Sequence, residues 1–239
     1  MQYLPNFLFA ILLIAGIGFF VKNIKKIFRN IKLGKDIDRS DNKSERWKNM
    51  AYIALGQSKM VKRPISGFLH VIVYVGFVII NIEVLEIIID GLFGTHRVFK
   101  GLIGDSFYGL LIGIFEVLAG LVFIAVTIFW IRRNIIKVKR FLNKEMKGWP
   151  KNDGNYILYF EMVLMGLFLL MNSADTPFQD AGVGNVISQF IVPLFDGLSV
   201  NSLHLIERTA WWIHITGILV FLNYLYYSKH LHILLAFPN

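Results

Sequence analysis

The chain contains no cysteine, and charged residues are scarce. Only 17% of its 239 residues are Asp, Glu, Lys or Arg, whereas 55% are hydrophobic. The lack of cysteine excludes disulfides, iron–sulfur clusters ligated by this chain and thioether-attached haem. The scarcity of charge excludes an ordinary soluble domain and indicates a helical membrane protein. Any metal or haem must therefore be held by His, Met or carboxylate side chains.

Positive charge is also absent before the first apolar segment. That segment runs from Tyr3 to Val21, and Lys22, Lys25 and Lys26 follow it. A cleavable signal peptide carries its positive charge first. The reverse order predicts a membrane anchor whose N-terminus lies outside.

Five apolar segments are long enough to cross a bilayer, because about 20 apolar residues span its hydrocarbon core. They cover residues 4–21, 65–89, 106–131, 156–171 and 207–227. The predicted fold class is therefore an all-α integral membrane bundle of five transmembrane helices. We expect residues 1–239 to form a single membrane domain.

Lysine and arginine are distributed unevenly over the loops between these segments. Loop 22–63 holds 13 and loop 132–155 holds eight, whereas loop 91–104 has two and loop 172–206 has none. Loops rich in Lys and Arg stay in the cytoplasm. The N-terminus is therefore predicted outside and the C-terminus, with Lys229, inside. This segregation explains the net charge of +9 without a nucleic-acid partner.

The two longest loops carry patterns of their own. Residues 22–64 are predicted to hold cytoplasmic surface helices and a loop, which lie on the membrane or dock a partner. The expected helix, irregular stretch and second short helix cover residues 22–35, 36–48 and 47–60. In the outer loop 172–206, residues 186–195 predict a short interfacial helix. It could roof a cofactor or lipid-substrate site, or serve as a re-entrant connector.

Histidines stand at or near the ends of the apolar segments. The six are His70, His96, His204, His214, His230 and His232. Imidazole is costly to bury in lipid without a partner, and neutral imidazole is an axial ligand of haem iron. His214 and His232 are 18 residues apart, which is five helical turns. On one continuous helix they would share a face near opposite membrane surfaces, which suggests two b-type haems.

The cytoplasmic pairing is the more complete of the two. His70, near the start of the second segment, has the same predicted depth as His230 and His232. Two axial imidazoles leave no open iron position, which suits electron transfer. A continuous helix favours His232 as the ligand, since it is in phase with His214. A helix that ends near Ser228 would remove that argument. The alternative is a His70 ring bonded to a backbone carbonyl.

The outer pairing has one good candidate, His214, and two weaker ones. No histidine of the second segment lies at its depth. His96 could fold back as the second ligand and is favoured over His204, although either could be an exposed loop residue. Arg208 could pair with a haem propionate or with Glu207.

Carboxylates inside the apolar segments are further candidates. Glu83 and Glu86 lie in the outer half of the second segment near Asn81, and Glu116 and Glu161 lie in the third and fourth. Intramembrane acids mark functional sites more often than not. The group around Glu83 could carry protons away from a quinol, or could form hydrogen bonds between helices in the protonated form.

The C-terminal part carries the most specific pattern. It runs from Glu207 through Trp211-Trp212-Ile213-His214 to Tyr227-Ser228-Lys229-His230-Leu231-His232 and ends in Phe237-Pro238-Asn239. This pattern resembles the membrane part of heterodisulfide-reductase-like iron–sulfur oxidoreductases, which is similar to the respiratory nitrate reductase gamma subunit. The shared frame of five spans covers the whole chain.

The resemblance implies a membrane cytochrome b that binds haem b and passes electrons between menaquinone or ubiquinone and a cytoplasmic iron–sulfur partner. The partner would be a separate subunit or a further domain of the chain, in a bacterial or archaeal cytoplasmic membrane. The histidines that match ligand positions are His70, His214 and either His232 or His230. The gamma-subunit pattern has a second histidine about three turns after the first, where this chain has Ile80 and Asn81. One haem is therefore expected and a second depends on another ligand. The alternative is a haem-free anchor, or a transporter or channel subunit.

Overall fold

The computed structural model is an all-α membrane bundle. It describes residues 3–36, 38, 40–58, 60 and 63–236, so Phe237-Pro238-Asn239 lie outside the described residues. The described part contains no strand, and five of its helices are long and apolar enough to cross a membrane. The predicted fold class is confirmed.

Four of the predicted apolar segments lie each within one long helix, and the fifth, 207–227, lies in α8 and the 3₁₀ turn Leu225–Tyr227 that follows it. The long helices are α1 (Leu4–Ile31), α3 (Pro64–Phe93), α5 (Asp105–Asn134), α6 (Trp149–Ala174) and α8 (Val200–Tyr224), and the short ones are α2 (Lys43–Met50), α4 (Val98–Ile103), α7 (Thr176–Ala181) and α9 (His232–Leu235). Helices α3 and α5 have 30 residues each. At 1.5 Å per residue they are about 45 Å long, enough to cross both the hydrocarbon core and the headgroup layers.

The helix ends follow from local sequence. Pro5, Pro64 and Pro150 stand in the first two positions of α1, α3 and α6, where a missing N–H costs nothing. The hydroxyl of Ser199 accepts a hydrogen bond from the N–H of Ser202 and caps α8. Gly94 ends α3 in the left-handed conformation that glycine adopts without strain.

The five long helices form a ring in chain order. Helix α1 packs against α3 and α8, and the contacts of α5 with α3 and α6 and of α6 with α8 complete the ring. Side-chain amides close it at α1, since Asn6 donates to the Gly91 carbonyl and Asn223 to the Gly16 carbonyl, each at 2.9 Å. Large side chains that are at most 1% exposed fill the interior, namely Phe9, Ile112, Phe115, Phe168 and Ile215.

The two ends of the ring differ in charge. We call the end with the N-terminus of α1 the Arg97 end, and the opposite end, where α8 stops, the His230 end. The two basic loops, 22–63 and 132–155, connect helices at the His230 end. Their predicted place in the cytoplasm remains a prediction from the charge distribution.

The first basic loop is more helical than expected. Helix α1 continues without a break to Ile31, so the helix predicted over 22–35 is its extension. Helix α2 begins at Lys43, inside the stretch expected to be irregular, and a π-helical turn at Ala51–Leu55 follows it.

The loop between α6 and α8 differs from the single interfacial helix predicted over 186–195. It holds α7 and two short 3₁₀ turns, Ser188–Phe190 and Val192–Phe195. Its residues 183–187 run back along α5, where Gly109, Gly113 and Gly120 leave room for them. The loop is therefore a re-entrant connector, one of the two alternatives that its sequence allowed.

Glu116 anchors this connector. Its fully buried carboxylate accepts hydrogen bonds from the backbone N–H groups of Ile187 (2.7 Å) and Ser188 (3.0 Å) and from the side-chain amide of Asn172 (3.0 Å). Backbone N–H groups at this depth have no water to bond, so the carboxylate meets a need that lipid would leave unmet.

Two glycine-to-alanine substitutions, one at the connector and one away from it, test this packing. A Cβ added at Gly109 would overlap the Val183 side chain and lie 3.2 Å from its backbone carbon, so we expect Gly109→Ala to destabilise the protein by about 1–3 kcal/mol. At Gly166 in α6 no heavy atom of the described residues lies within 4 Å of the added Cβ. Gly166→Ala should be neutral or stabilising by up to about 1 kcal/mol. Thermal unfolding in detergent measures both, and equal effects would contradict the packing of the connector on α5.

Candidate functional site

Arg97, in the loop after α3, organises one end of the ring. Its buried guanidinium donates from Nε to Asp175 Oδ2 (2.8 Å), from Nη1 to the Tyr108 hydroxyl (3.2 Å) and from Nη2 to Asn172 Oδ1 (3.1 Å). It also lies 4.2 Å over the ring of Phe178. These contacts join the loop to α5, α6 and α7 at one point.

Local backbone structure aims Arg97 into the bundle. Its φ of +55° is unusual for a residue other than glycine. The Asp90 carboxylate holds this turn, accepting hydrogen bonds from the N–H of Arg97 (2.7 Å), the N–H of Val98 (3.2 Å) and the hydroxyl of Thr95. The end of α3 and the start of α4 are thereby fixed to one side chain.

The partner of Arg97, Asp175, stays ionised. Burial by itself raises its pKa, but the nearby His96 ring and the charge of Arg97 hold the pKa well below its usual range. His96 Nε2 lies 3.2 Å from Asp175 Oδ2, and its side chain is 48% exposed. The structure therefore places His96, one predicted haem ligand, at the rim of the bundle against a carboxylate.

A cavity of about 400 Å³ opens beside this network, between α1, α3 and α8. Aromatic rings of Phe9, Trp211 and Trp212 form one part of its wall. Its charged lining consists of Glu83, Glu86, Asp90, His96, Arg97, Asp175, Glu207 and Arg208. Five carboxylates face two guanidinium groups, so the cavity has an excess of acid.

The acids of the cavity differ in how they are bound. Glu86 accepts from the Tyr108 hydroxyl (2.8 Å) and from the N–H of Phe99 (2.9 Å). Both oxygens of Glu207 accept hydrogen bonds from Arg208, one of the two partners that its sequence position allowed. Glu83 is 4% exposed, and its Oε2 has no hydrogen-bond partner among the described residues.

Asn81 lies apart from these acids. It is exposed on another face of α3, and its amide donates to the Phe77 carbonyl of its own helix. The structure thus brings Glu83 and Glu86 together in one cavity without Asn81.

His214 is enclosed in the middle of α8. It is 1% exposed, its ring centroid is 6.3 Å from that of Phe168, and neither ring nitrogen has a hydrogen-bond partner in the described part of the chain. Ile80 stands where the gamma-subunit pattern has a second histidine, and it is buried in the apolar core. His204 is exposed in the first turns of α8. None of these brings a second imidazole to His214.

The C-terminal histidines do not continue α8. The helix ends at Tyr224, a 3₁₀ turn covers Leu225–Tyr227, and Ser228 is extended with φ −105° and ψ 165°. The expectation that His214 and His232 share one continuous helix face is therefore wrong, and their in-phase spacing favours neither His232 nor His230.

The geometry offers another way to distinguish the two. His232 Nδ1 lies 2.7 Å from the Lys229 carbonyl, which accepts a hydrogen bond from it and leaves Nε2 available. A histidine that binds a metal commonly donates its other N–H to a carbonyl in this way. His230 Nε2 instead lies 3.8 Å from Glu161 Oε1. This arrangement favours His232 as the metal ligand and places His230 beside it.

His70 lies at the same end of the bundle, as predicted. Its ring meets that of Phe129 edge-on, with centroids 6.3 Å apart. His230 and His232 follow α8 at this end, with ring centroids 5.6 Å apart. Within the described residues, no three His, Cys, Asp or Glu side chains are grouped so that they could hold a metal ion.

Asp153 positions the turn that carries these histidines. It is not among the site residues predicted from the sequence. Its buried carboxylate accepts from the Tyr224 hydroxyl (2.6 Å) and from the N–H of Lys229 (3.0 Å). The Ser228 hydroxyl accepts from the N–H of His230 (3.0 Å). This contact joins distant parts of the chain, so nothing in the sequence around Asp153 indicates it.

Removal of Arg97 tests the network at its end of the ring. Arg97→Ala leaves the Asp175 carboxylate buried without its counter-ion and should cost about 3–5 kcal/mol of unfolding free energy. The double variant Arg97→Ala/Asp175→Ala should recover part of that loss, because no uncompensated charge remains. Since the pKa of Asp175 is lowered in the folded state, the stabilisation is full at neutral pH and is lost only in strong acid. Additive losses in detergent unfolding would contradict the coupling.

Comparison with known proteins gives two relatives. The chain is 28% identical over 234 residues to the "Probable iron-sulfur-binding oxidoreductase FadF" of Bacillus subtilis (strain 168), an alignment that covers 97% of this chain and 32% of the relative. It is 22% identical over 216 residues to the "EtfAB:quinone oxidoreductase" of Syntrophomonas wolfei, covering 85% of this chain and 29% of the relative. No family model and no solved structure matches.

The chain thus spans about a third of the length of the curated relatives it matches. Both relatives are oxidoreductases by name, and the alignments cover most or nearly all of the five-helix bundle. The chain therefore has five helices able to cross a membrane and is similar in sequence to two proteins named as oxidoreductases, one of them iron–sulfur-binding.

Proposed function

We propose that this chain is a membrane electron-transfer subunit that passes electrons between the quinone pool and an iron–sulfur redox partner. The observation that carries the proposal is the separation of two kinds of site along one bundle. Three histidines, His70, His230 and His232, lie at the His230 end, and an acid-rich aromatic cavity opens at the Arg97 end. The oxidoreductase relatives support the same class of function.

We propose that the donor set at the His230 end holds one haem b. His70 on α3 and His232 after α8 would supply the axial nitrogens, and the Lys229 carbonyl would orient the His232 ring. His230 and the ammonium of Lys229 would stand beside the haem edge, where propionates need cations. A haem with two imidazole ligands supplies one-electron transfer without an open coordination position.

The residues around His214 do not fit a second haem. Ile80, which stands where the gamma-subunit pattern has its second histidine, is buried in the apolar core, and the Phe168 ring lies 6.3 Å from the His214 ring. His96 is bound to Asp175, and His204 is exposed. We therefore propose one haem per chain, with His214 outside the iron's ligand set.

The cavity at the Arg97 end suits a quinone headgroup. Its volume of about 400 Å³ is within the usual range for small-molecule sites. Trp211 and Trp212 offer flat apolar surfaces, and Arg208 and His96 offer donors to quinone carbonyl oxygens. Buried acids are available for the protons that accompany quinone chemistry. Menaquinone and ubiquinone share this chemistry.

The orientation follows from charge. Because Lys- and Arg-rich loops tend to stay in the cytoplasm, we propose that the His230 end faces the cytoplasm of a bacterium or archaeon. The iron–sulfur partner would then dock there, close to the haem, either as a separate subunit or as a further domain. The unmatched two-thirds of each relative is long enough to hold such a domain.

A second candidate function is a haem-free, proton-coupled transporter or anchor subunit. The observation in its favour is the excess of buried carboxylate in the cavity, which a transporter would also need.

Haem content separates these functions. We expect purified protein to show a reduced b-type absorption band with about one haem per chain, because each haem needs two axial imidazoles. His70→Ala and His232→Ala should abolish the band, whereas His204→Ala, at an exposed position, should retain it. Two haems per chain, or unchanged haem after His70→Ala, would contradict the ligand assignment. A chain that binds no haem would favour the anchor or transporter.

A further inference from the structure

We propose that Glu83, Glu86 and Asp90 form a proton route along one face of α3, from the inner wall of the cavity to its mouth at the Arg97 end. The proposal rests on the quinone site proposed above and adds the residue that exchanges the proton with the quinone, Glu83. It also assigns the side of the protein at which that proton meets water.

The three acids have the spacing that such a route requires. Residues three and four apart on a helix are neighbours, about 5–6 Å apart at their Cβ atoms, so each acid reaches the next. Glu83 lies about 10 Å further into the bundle than Asp90, at 1.5 Å per residue. All three line the cavity, so water in it can bridge the remaining gaps.

Glu83 is the acid that remains free to react. The carboxylates of Asp90, Glu86, Asp175 and Glu207 are engaged by backbone N–H groups, the Tyr108 hydroxyl, Arg97 or Arg208. Glu83 is buried in the cavity wall, and among the described residues its Oε2 has no hydrogen-bond partner. A buried carboxyl oxygen facing a cavity is costly unless a ligand or water bonds to it.

The groups around Glu83 set the direction of transfer. Arg208 is paired with Glu207 on α8, and Arg97 with Asp175 beyond α6, so each cation is largely neutralised. Glu86 and Asp90 follow Glu83 on α3, and His96 stands half-exposed at the mouth. A proton that leaves Glu83 therefore meets acceptors toward the Arg97 end.

Oxidation of a quinol breaks its two O–H bonds and releases two protons and two electrons. Each proton passes in turn to Glu83 Oε2, then to Glu86, Asp90 and water at the mouth, so Glu83 is protonated and deprotonated twice per quinol. A haem held by His70 and His232 would accept the two electrons one at a time and pass them to the iron–sulfur partner. Reduction of a quinone uses the same path in reverse.

Menadiol and menadione are suitable probes. In haem-loaded full-length protein in detergent, Glu83→Gln should slow haem reduction by menadiol by about 100-fold. Glu83→Gln should still bind menadione, as measured by quenching of tryptophan fluorescence, and dithionite should still reduce the haem fully. Glu83→Asp keeps a carboxyl group and should retain part of the rate. Asp90→Asn should slow menadiol oxidation less than Glu83→Gln does.

Asp105→Asn is the matched control. This acid lies at the same end of the bundle, but its side chain is 80% exposed and outside the cavity. Its variant should react at the wild-type rate. Wild-type rates in a folded Glu83→Gln variant that binds menadione would overturn the proton route and leave the quinone site standing. If wild-type protein neither binds menadione nor is reduced by menadiol, the quinone site itself is wrong.

An infrared measurement does not depend on haem. The difference spectrum between menadiol-bound and menadione-bound protein should contain a carboxylic C=O band that shifts in D₂O. This band should be absent in Glu83→Gln and present in Asp105→Asn. A band that persists in Glu83→Gln would assign the proton to another acid and overturn the proposal.

Discussion

The buried ion pair between Arg97 and Asp175 is the interaction on which the Arg97 end of the protein depends. A guanidinium out of water must find acceptors, and here they come from α5, α6 and the start of α7. The loss of any one acceptor would leave part of the guanidinium without a hydrogen bond. The ends of these elements therefore hold one another in place. Arg97 and Asp175 both line the cavity, so the same contacts also hold the cavity wall in place.

The His230 end is held in a different way. There the chain leaves α8, and Asp153 fixes the new direction through one hydroxyl and one backbone N–H. His70 and His232 themselves remain exposed. One end of the bundle is thus preorganised by charge, while the other keeps its imidazoles available, which suits a fixed substrate site and a site completed by a cofactor.

The fold could be predicted further from sequence than the sites. The lengths of the apolar segments were enough to locate all five spans. A segment that crosses lipid must satisfy its own backbone hydrogen bonds, which favours a helix. The break after Tyr224 could not be foreseen, because the residues beyond it stay largely apolar and the cause is Asp153, 76 positions from Lys229 in sequence. The inward turn of Arg97 and the anchoring of the connector by Glu116 likewise depend on distant partners. Glu83 and Glu86 were recognisable alone, since an acid inside an apolar helix is conspicuous.

The separation of the two sites has an energetic consequence for the proposed function. His70 and Glu83 are 13 residues apart on α3, about 20 Å along its axis. Electrons that travel between the cavity and the His230 end therefore cross much of the bilayer, whereas the protons of Glu83 leave on the cavity's own side. Each electron moved across the full potential changes the free energy by about 2.3 kcal/mol per 100 mV. With the His230 end in the cytoplasm, quinol oxidation would help to build the membrane potential, and quinone reduction by a cytoplasmic donor would be driven by it.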